Sequence, residues 1–230
     1  MSAEDNADPL ALLAAARARR GYLLPHHGLF VLLSPRFASA YEDAYGTLAL
    51  QPVSLAAEDK EFVWVVIVAV VGSATARHHV RRFREAGGGS AGVEAALRIA
   101  AFAMGRGRFD FAGAAWAKQL PGWDAAVAED AAWAALLAGG GVPERRALLG
   151  ILAAATALDD APGVARALRA GYALGIAERD LAEAMCLTVQ PAGLPRLVRA
   201  AGIWRGLIRE GALPASAGFR AWAEAEAEGD

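Results

Sequence analysis

The stretch "FVWVVIVAVVG", residues 62–72, constrains the fold of this chain more than any other. It is about half the roughly 20 apolar residues needed to span a bilayer. It therefore reads as a helix buried in a protein core. The rest of the chain agrees with a helical protein: 56% of residues are hydrophobic, alanine and leucine dominate, and β-branched runs are few. An all-α fold is the first expectation.

At 230 residues the chain buries a sizeable core as one large domain or two small ones. A formal net charge of −2 and a pI near 6.1 provide no global field for nucleic acid or an anionic membrane, so neither is expected as a partner. The lone cysteine, Cys186, excludes an internal disulfide and single-chain dithiol chemistry, and it fits a reducing compartment. The first residues, "MSAEDNADPLALLAAARARR", place acids before any apolar segment and do not resemble a secretory signal. A cytoplasmic location is the resulting expectation.

Periodicity and Gly, Pro and Ser punctuation predict helices over 9–19, 36–48, 55–71, 74–86, 91–104, 109–118, 124–138, 143–158, 161–174, 178–189, 195–210 and 216–227. "LAGGGVPE", 137–144, is the clearest internal break and divides the chain into 1–140 and 141–230. An offset of 88 residues aligns Arg81 with Arg169, Gly87 with Gly175, Gly105 with Gly193 and Trp116 with Trp204. This period is too long for a solenoid and points to two copies of one helical unit. Each copy has an apolar helix to bury against its twin, so an intrachain pseudo-dimer is expected.

"ATARHHVRRFREAG", 74–87, carries two adjacent histidines on a predicted helix with Ser73 as N-cap and Gly87 as its stop. Ala76, His79, Val80, Phe83 and Ala86 share one face, which turns His79 inward. His78 lies about 100° away and groups with Arg82 and Glu85 towards solvent. Adjacent helical residues diverge, so the pair is not expected to chelate a metal.

His79 fits either a hydrogen-bonded histidine at the core edge or a general acid or base, which needs a charged partner. Glu61 is that candidate: it adjoins the buried run, and Trp64, Val65 and Val68 continue its face. A buried carboxylate beside a histidine gives the coupled groups that active sites use.

Other features offer supporting roles. "PHHG", 25–28, reads as a loop whose second histidine, His27, stands at the mouth of a site or simply in an exposed turn. "GGGSAG", 87–92, lacks the Gly-Lys-Ser ending of a phosphate loop. Within the basic helix, Arg77 and Arg81 are candidates to hold a substrate carboxylate through a guanidinium fork, although such a run is more commonly a solvated face.

"KEFVWVVIVAVVGSATARHHVRRFREAG", followed by "VEAALRIAAFAMG", resembles the carboxymuconolactone decarboxylase family of the alkylhydroperoxidase D-like superfamily. The resemblance covers roughly 40–120, with a weaker copy at about 143–210. It implies an alkylhydroperoxidase D-like helical bundle of two tandem units, with Glu61 as the family acid and His79 as the family histidine. It also implies a homo-oligomer, a trimer of two-unit chains. Peroxidase-type members carry Cys-x-x-Cys before the histidine, whereas "SATARHH" has no sulfur, so thiol peroxidase activity is not expected.

In the weaker copy Ala167 stands opposite His79, and the place of Glu61 falls near Ala147, which makes that half a scaffold. The expectation is a cofactor-independent lyase acting on a small carboxylated lactone or oxo-acid, with Trp64 lining its pocket. The alternatives are an isomerase or hydratase using the same pair, and a non-catalytic binding or assembly module. A Glu61–His79 contact lining a pocket points to an enzyme; a solvent-facing His79, or one sealed in a dry core, points to the module.

Overall fold

The computed structural model describes residues 8–225, and among these every regular element is helical. The chain divides into two compact units, Met1–Val53 and Ser54–Asp230. The acidic first residues and the last two residues of the helix expected over 216–227 lie outside the described residues.

The first unit holds α1 (Pro9–Arg20), α2 (Pro25–Leu33), α3 (Pro35–Tyr45) and a π-helical turn, Gly46–Leu50. Each helix begins on a proline, whose fixed φ suits the first helical position and whose missing N–H is no loss there. The Asp8 carboxylate caps α1 by accepting the Leu10 N–H at 3.0 Å, and the Ser34 hydroxyl caps α3 by accepting the Phe37 N–H at 3.2 Å. Ala16, Val31 and Ala38 form the core of this unit, with Leu12, Leu13, Leu23 and Phe30 packed around them.

α2 corrects the sequence reading, which placed "PHHG" in a loop. Pro25 starts the helix, and His27 supports that start because its Nδ1 accepts the Leu24 N–H at 3.4 Å. Histidine is an uncommon capping residue, so composition alone suggested a turn.

The second unit contains α4 (Ala57–Val71), α5 (His78–Glu85), α6 (Ser90–Gly105), α7 (Gly107–Trp116), α8 (Ala125–Ala138) and α9 (Glu144–Leu158). It continues with α10 (Ala161–Ala173), α11 (Glu178–Cys186), α12 (Val189–Ala192), α13 (Leu194–Arg209) and α14 (Ala217–Glu224). The apolar run becomes α4, in which Phe62, Val63, Val66 and Ile67 are fully buried. It packs on α9, α6 and α5, while α9 in turn packs on α10 and α11. The "LAGGG" break lies inside this unit, between α8 and α9.

One helix of the second unit is matched in length and ending by another. α4 and α9 are both 15 residues long, and each ends on a left-handed residue: Gly72 at φ 65°, ψ 32° and Asp159 at φ 62°, ψ 33°. Gly87 and Gly175, aligned by the 88-residue offset, both have positive φ. The helix bounds set Leu148 opposite Glu61, one residue beyond Ala147, because α4 and α9 start 87 residues apart whereas the sequence offset is 88.

α4 and α9 approach closely at Gly150. A Cβ there would lie 3.0 Å from Phe62 Cε1 and 3.1 Å from Val66 Cγ2, two fully buried side chains. Gly150→Val is expected to destabilise the protein by about 1–3 kcal/mol in urea unfolding. Gly150→Ala should be close to neutral, because a helix gain of about 1 kcal/mol offsets the crowding. A stable Gly150→Val protein would show that the helices are not in contact there.

Four predicted helices are divided: 36–48 passes into the π-helical turn and 109–118 into a 3-10 turn, Ala117–Gln119. The 74–86 segment opens with a 3-10 turn, Ala74–Ala76, before α5 begins at His78; the Ser73 hydroxyl meets Thr75 Oγ1 at 3.2 Å and does not cap α5. The 178–189 segment ends as α11 at Cys186 and resumes as α12. No described helix is long and apolar enough to cross a membrane.

Candidate acid–base site

Glu61 and His79 meet. Glu61 lies in the second turn of α4, where the helix changes from a charged start to the apolar run, and its side chain is driven inward with that run. His79 lies in the first turn of α5, with Phe83 one turn on; both are buried. The tight turn after Gly72 folds α5 back onto α4 and brings His79 Nδ1 to 2.7 Å from Glu61 Oε2.

A carboxylate only accepts hydrogen bonds, so against it the imidazole meets Glu61 through a protonated Nδ1. Trp64, one turn beyond Glu61, stacks on His79 with ring centroids 4.1 Å apart and planes 8° from parallel. The imidazole is held by a hydrogen bond at its edge and an indole across its face. Glu61 is 2% exposed and His79 0%.

Arg82 completes the group and was missed in the sequence reading, which turned it to solvent with His78 and Glu85. Its Nε donates to Glu61 Oε1 at 2.5 Å, and its side chain is 34% exposed. The available signal was its spacing: three residues after His79, it occupies the flank of the same helical face. A long side chain reaches across that flank to the buried acid.

His78 also differs from expectation. It is half-buried, and its ring centroid lies 4.2 Å from that of His79. Adjacent Cβ atoms diverge on a helix, but the rings are long enough to close the gap. Burial pushes the His78 imidazole below its ordinary pKa; His79 adds to this, Glu61 opposes it, and Arg82 and Arg81 add to it.

The other candidates stand elsewhere. Arg77 is exposed at the N-cap of α5. Arg81 points outward, 70% exposed, and pairs with Glu85 at 3.3 Å. His27 belongs to the first unit, where it is buried against Tyr22 and His26. Among the described residues no group of three or more His, Cys, Asp or Glu side chains is placed to hold a metal ion. Burial, with the nearby Glu183, raises the pKa of the Cys186 thiol, opposite to the direction that makes a reactive thiolate.

The residues that the helix bounds and the 88-residue offset set opposite Glu61, Trp64 and His79 are Leu148, Ile151 and Ala167, all buried and apolar. Comparison with family models, curated proteins and solved structures finds no match for this chain.

Proposed function

We propose that the chain is a carboxymuconolactone decarboxylase-like acid/base enzyme, needing no cofactor, that acts on a small carboxylated lactone or oxo-acid. In this reading the second unit is an alkylhydroperoxidase D-like bundle. Its two halves, α4–α7 and α9–α13, form an intrachain pseudo-dimer, and chains assemble as trimers. The observation that carries the proposal is the 2.7 Å Glu61–His79 hydrogen bond at positions the other half fills with leucine and alanine.

Glu61 orients the ring and balances its charge, and His79 moves the proton. Loss of carbon dioxide from such a substrate leaves a dienolate-like carbon, and protonating it from a positioned group is worth about 10²–10⁴-fold. Trp64 fixes the ring plane along which that proton travels. The same pair also suits an isomerase, which takes a proton from one carbon and returns one to another, or a hydratase, which adds the proton and hydroxyl of water across a double bond.

One observation favours a second reading, a binding or assembly module without chemistry: His79 is completely covered within the chain. Turnover of a panel of lactones and oxo-acids by wild type and His79→Ala separates the two. The enzyme reading expects a loss of about 10²–10⁴-fold in kcat for His79→Ala. Equal turnover by both proteins removes His79 from the chemistry, and no turnover of any compound supports the module.

A further inference from the structure

We propose that the outward face of α2 and α3 is the surface on which a second copy of this chain docks, in a two-fold contact that sets Arg36 of each chain against the partner's Asp43. The inference belongs to the first unit and is independent of the acid/base reading of Glu61 and His79.

The first unit is short of core. Among its described residues the apolar side chains that are buried are Val31 and three alanines, Ala16, Ala38 and Ala49. Yet Leu29, Leu32, Leu33 and Phe37, four large apolar side chains within nine residues, are 46% to 73% exposed. Single exposed leucines are ordinary on a folded protein, whereas a group of this kind marks a surface that something covers. In α2, "PHHGLFVLL", Gly28 and Val31 are buried while Leu29, Leu32 and Leu33 face out. A helix that is apolar on both sides is stable when both are covered.

The charges on α3 identify the cover. With about 100° between successive residues, Ala38 on the inward side leaves Arg36, Ser39, Ala40 and Asp43 on the outward one, and all four are exposed. Arg19 pairs with Glu42 at 3.3 Å, whereas Arg36 and Asp43 have no ion-pair partner among the described residues. These two lie seven residues apart, two turns and about 10 Å along one side of the helix.

Opposite charges at the two ends of one face are self-complementary. When two copies of α3 lie antiparallel about a two-fold axis between Ser39 and Ala40, each cation meets the other copy's anion, and the contact is made twice. Ser39 and Ala40 at the centre are small enough for the helix axes to approach to about 8–10 Å. Phe37 flanks this face and touches Phe30 of α2, with ring centroids 4.9 Å apart, so the apolar surface runs from one helix to the next. Burial of that surface drives the docking, and the ion pairs fix its register. An anionic membrane is the poorer match, because Arg36 and Asp43 cancel on the face itself.

The test reads the mass of the full chain by sedimentation velocity over a micromolar dilution series. Arg36→Asp and Asp43→Arg each set like charges face to face, and each should weaken the contact at least about tenfold, halving the mass of the assembly at a fixed concentration. The double variant Arg36→Asp/Asp43→Arg should recover the wild-type mass. So should an equimolar mixture of the two single variants, in which each chain meets opposite charges on the other. Leu33→Glu should halve the mass as well.

The substituted residues are all exposed, and the mixture decides the matter if the double variant does not fold. A wild-type chain that is monomeric throughout, a mass unmoved by either single variant, or a mixture no heavier than its components overturns the proposal. Binding of wild type to vesicles of phosphatidylcholine and phosphatidylglycerol, lost in Leu33→Glu while the charge variants leave the mass unchanged, assigns the face to a lipid surface and overturns it too.

Discussion

His79→Leu is expected to lower the unfolding free energy by about 3 kcal/mol, because it leaves the buried Glu61 without one of its hydrogen-bond partners. The substitution is nearly isosteric, so little of that loss comes from a cavity. Adding Glu61→Leu should return stability to within about 1 kcal/mol of wild type, since replacing a buried charged pair by apolar groups of similar volume is commonly neutral or stabilising. Arg82, one-third exposed, can then turn to water.

The reason to expect recovery lies in the chain itself. Leu148 and Ala167, which the matching ends of α4 and α9 and the 88-residue offset set opposite Glu61 and His79, are 2% and 1% exposed. If the proposed pseudo-dimer holds, a fold that closes over leucine and alanine in one half does not need a carboxylate and an imidazole in the other. Chemical denaturation of wild type, both single variants and the double variant measures the coupling. A double variant as unstable as His79→Leu would show that the pair is structural, and the case for chemistry at His79 would lose its main support.

The second large effect belongs to Glu183. This residue, 3% exposed on α11, accepts the N–H groups of Ser54 at 2.6 Å and Leu55 at 2.7 Å and pairs with the buried Lys60 at 2.8 Å. Glu183→Ala removes an acceptor from two backbone donors and a carboxylate from a buried ammonium. The expected cost is about 3–5 kcal/mol. At roughly 2–4 °C per kcal/mol for a chain of this size, the loss in Tm is easily read by calorimetry.

Glu183→Gln should recover part of the loss, because its amide oxygen still accepts from the backbone while the charge is gone. Unlike the Glu61–His79 pair, this one joins segments about 130 residues apart, the start of the unit and α11. If Glu183→Ala unfolds within 1 kcal/mol of wild type, the Lys60–Glu183 pair does not hold the unit together.

The same contrast shows what was legible beforehand. The apolar run ending at Gly72 identified α4 and the turn after it, because ten apolar residues followed by glycine can be satisfied only by burial and a left-handed stop. The spacing of His79 and Phe83 identified the inward face of α5, because a helix repeats that face every three to four residues. α2 was not legible: its start depends on Pro25 and a histidine nitrogen accepting a backbone N–H, a use of histidine that no pattern announces.

Arg82 and His78 were misplaced for a related reason. Helical phase gives the direction of a Cβ, whereas a long side chain goes where a partner is, and the partner of Arg82 belongs to another helix. Nor did sequence spacing reveal that Arg145 and Arg146, at the start of α9, reach Asp59 and Glu58 at the start of α4 and Asp180 on α11.

By itself, then, the sequence determined the helical class, the buried helix and the inward direction of Glu61 and His79, because each follows from local periodicity and burial. Only the tertiary structure decided that Glu61 and His79 meet at 2.7 Å, that Arg82 and Trp64 complete the group, and that the imidazole is sealed. Those depend on how α5 crosses α4, which is set by the packing of side chains distant in sequence.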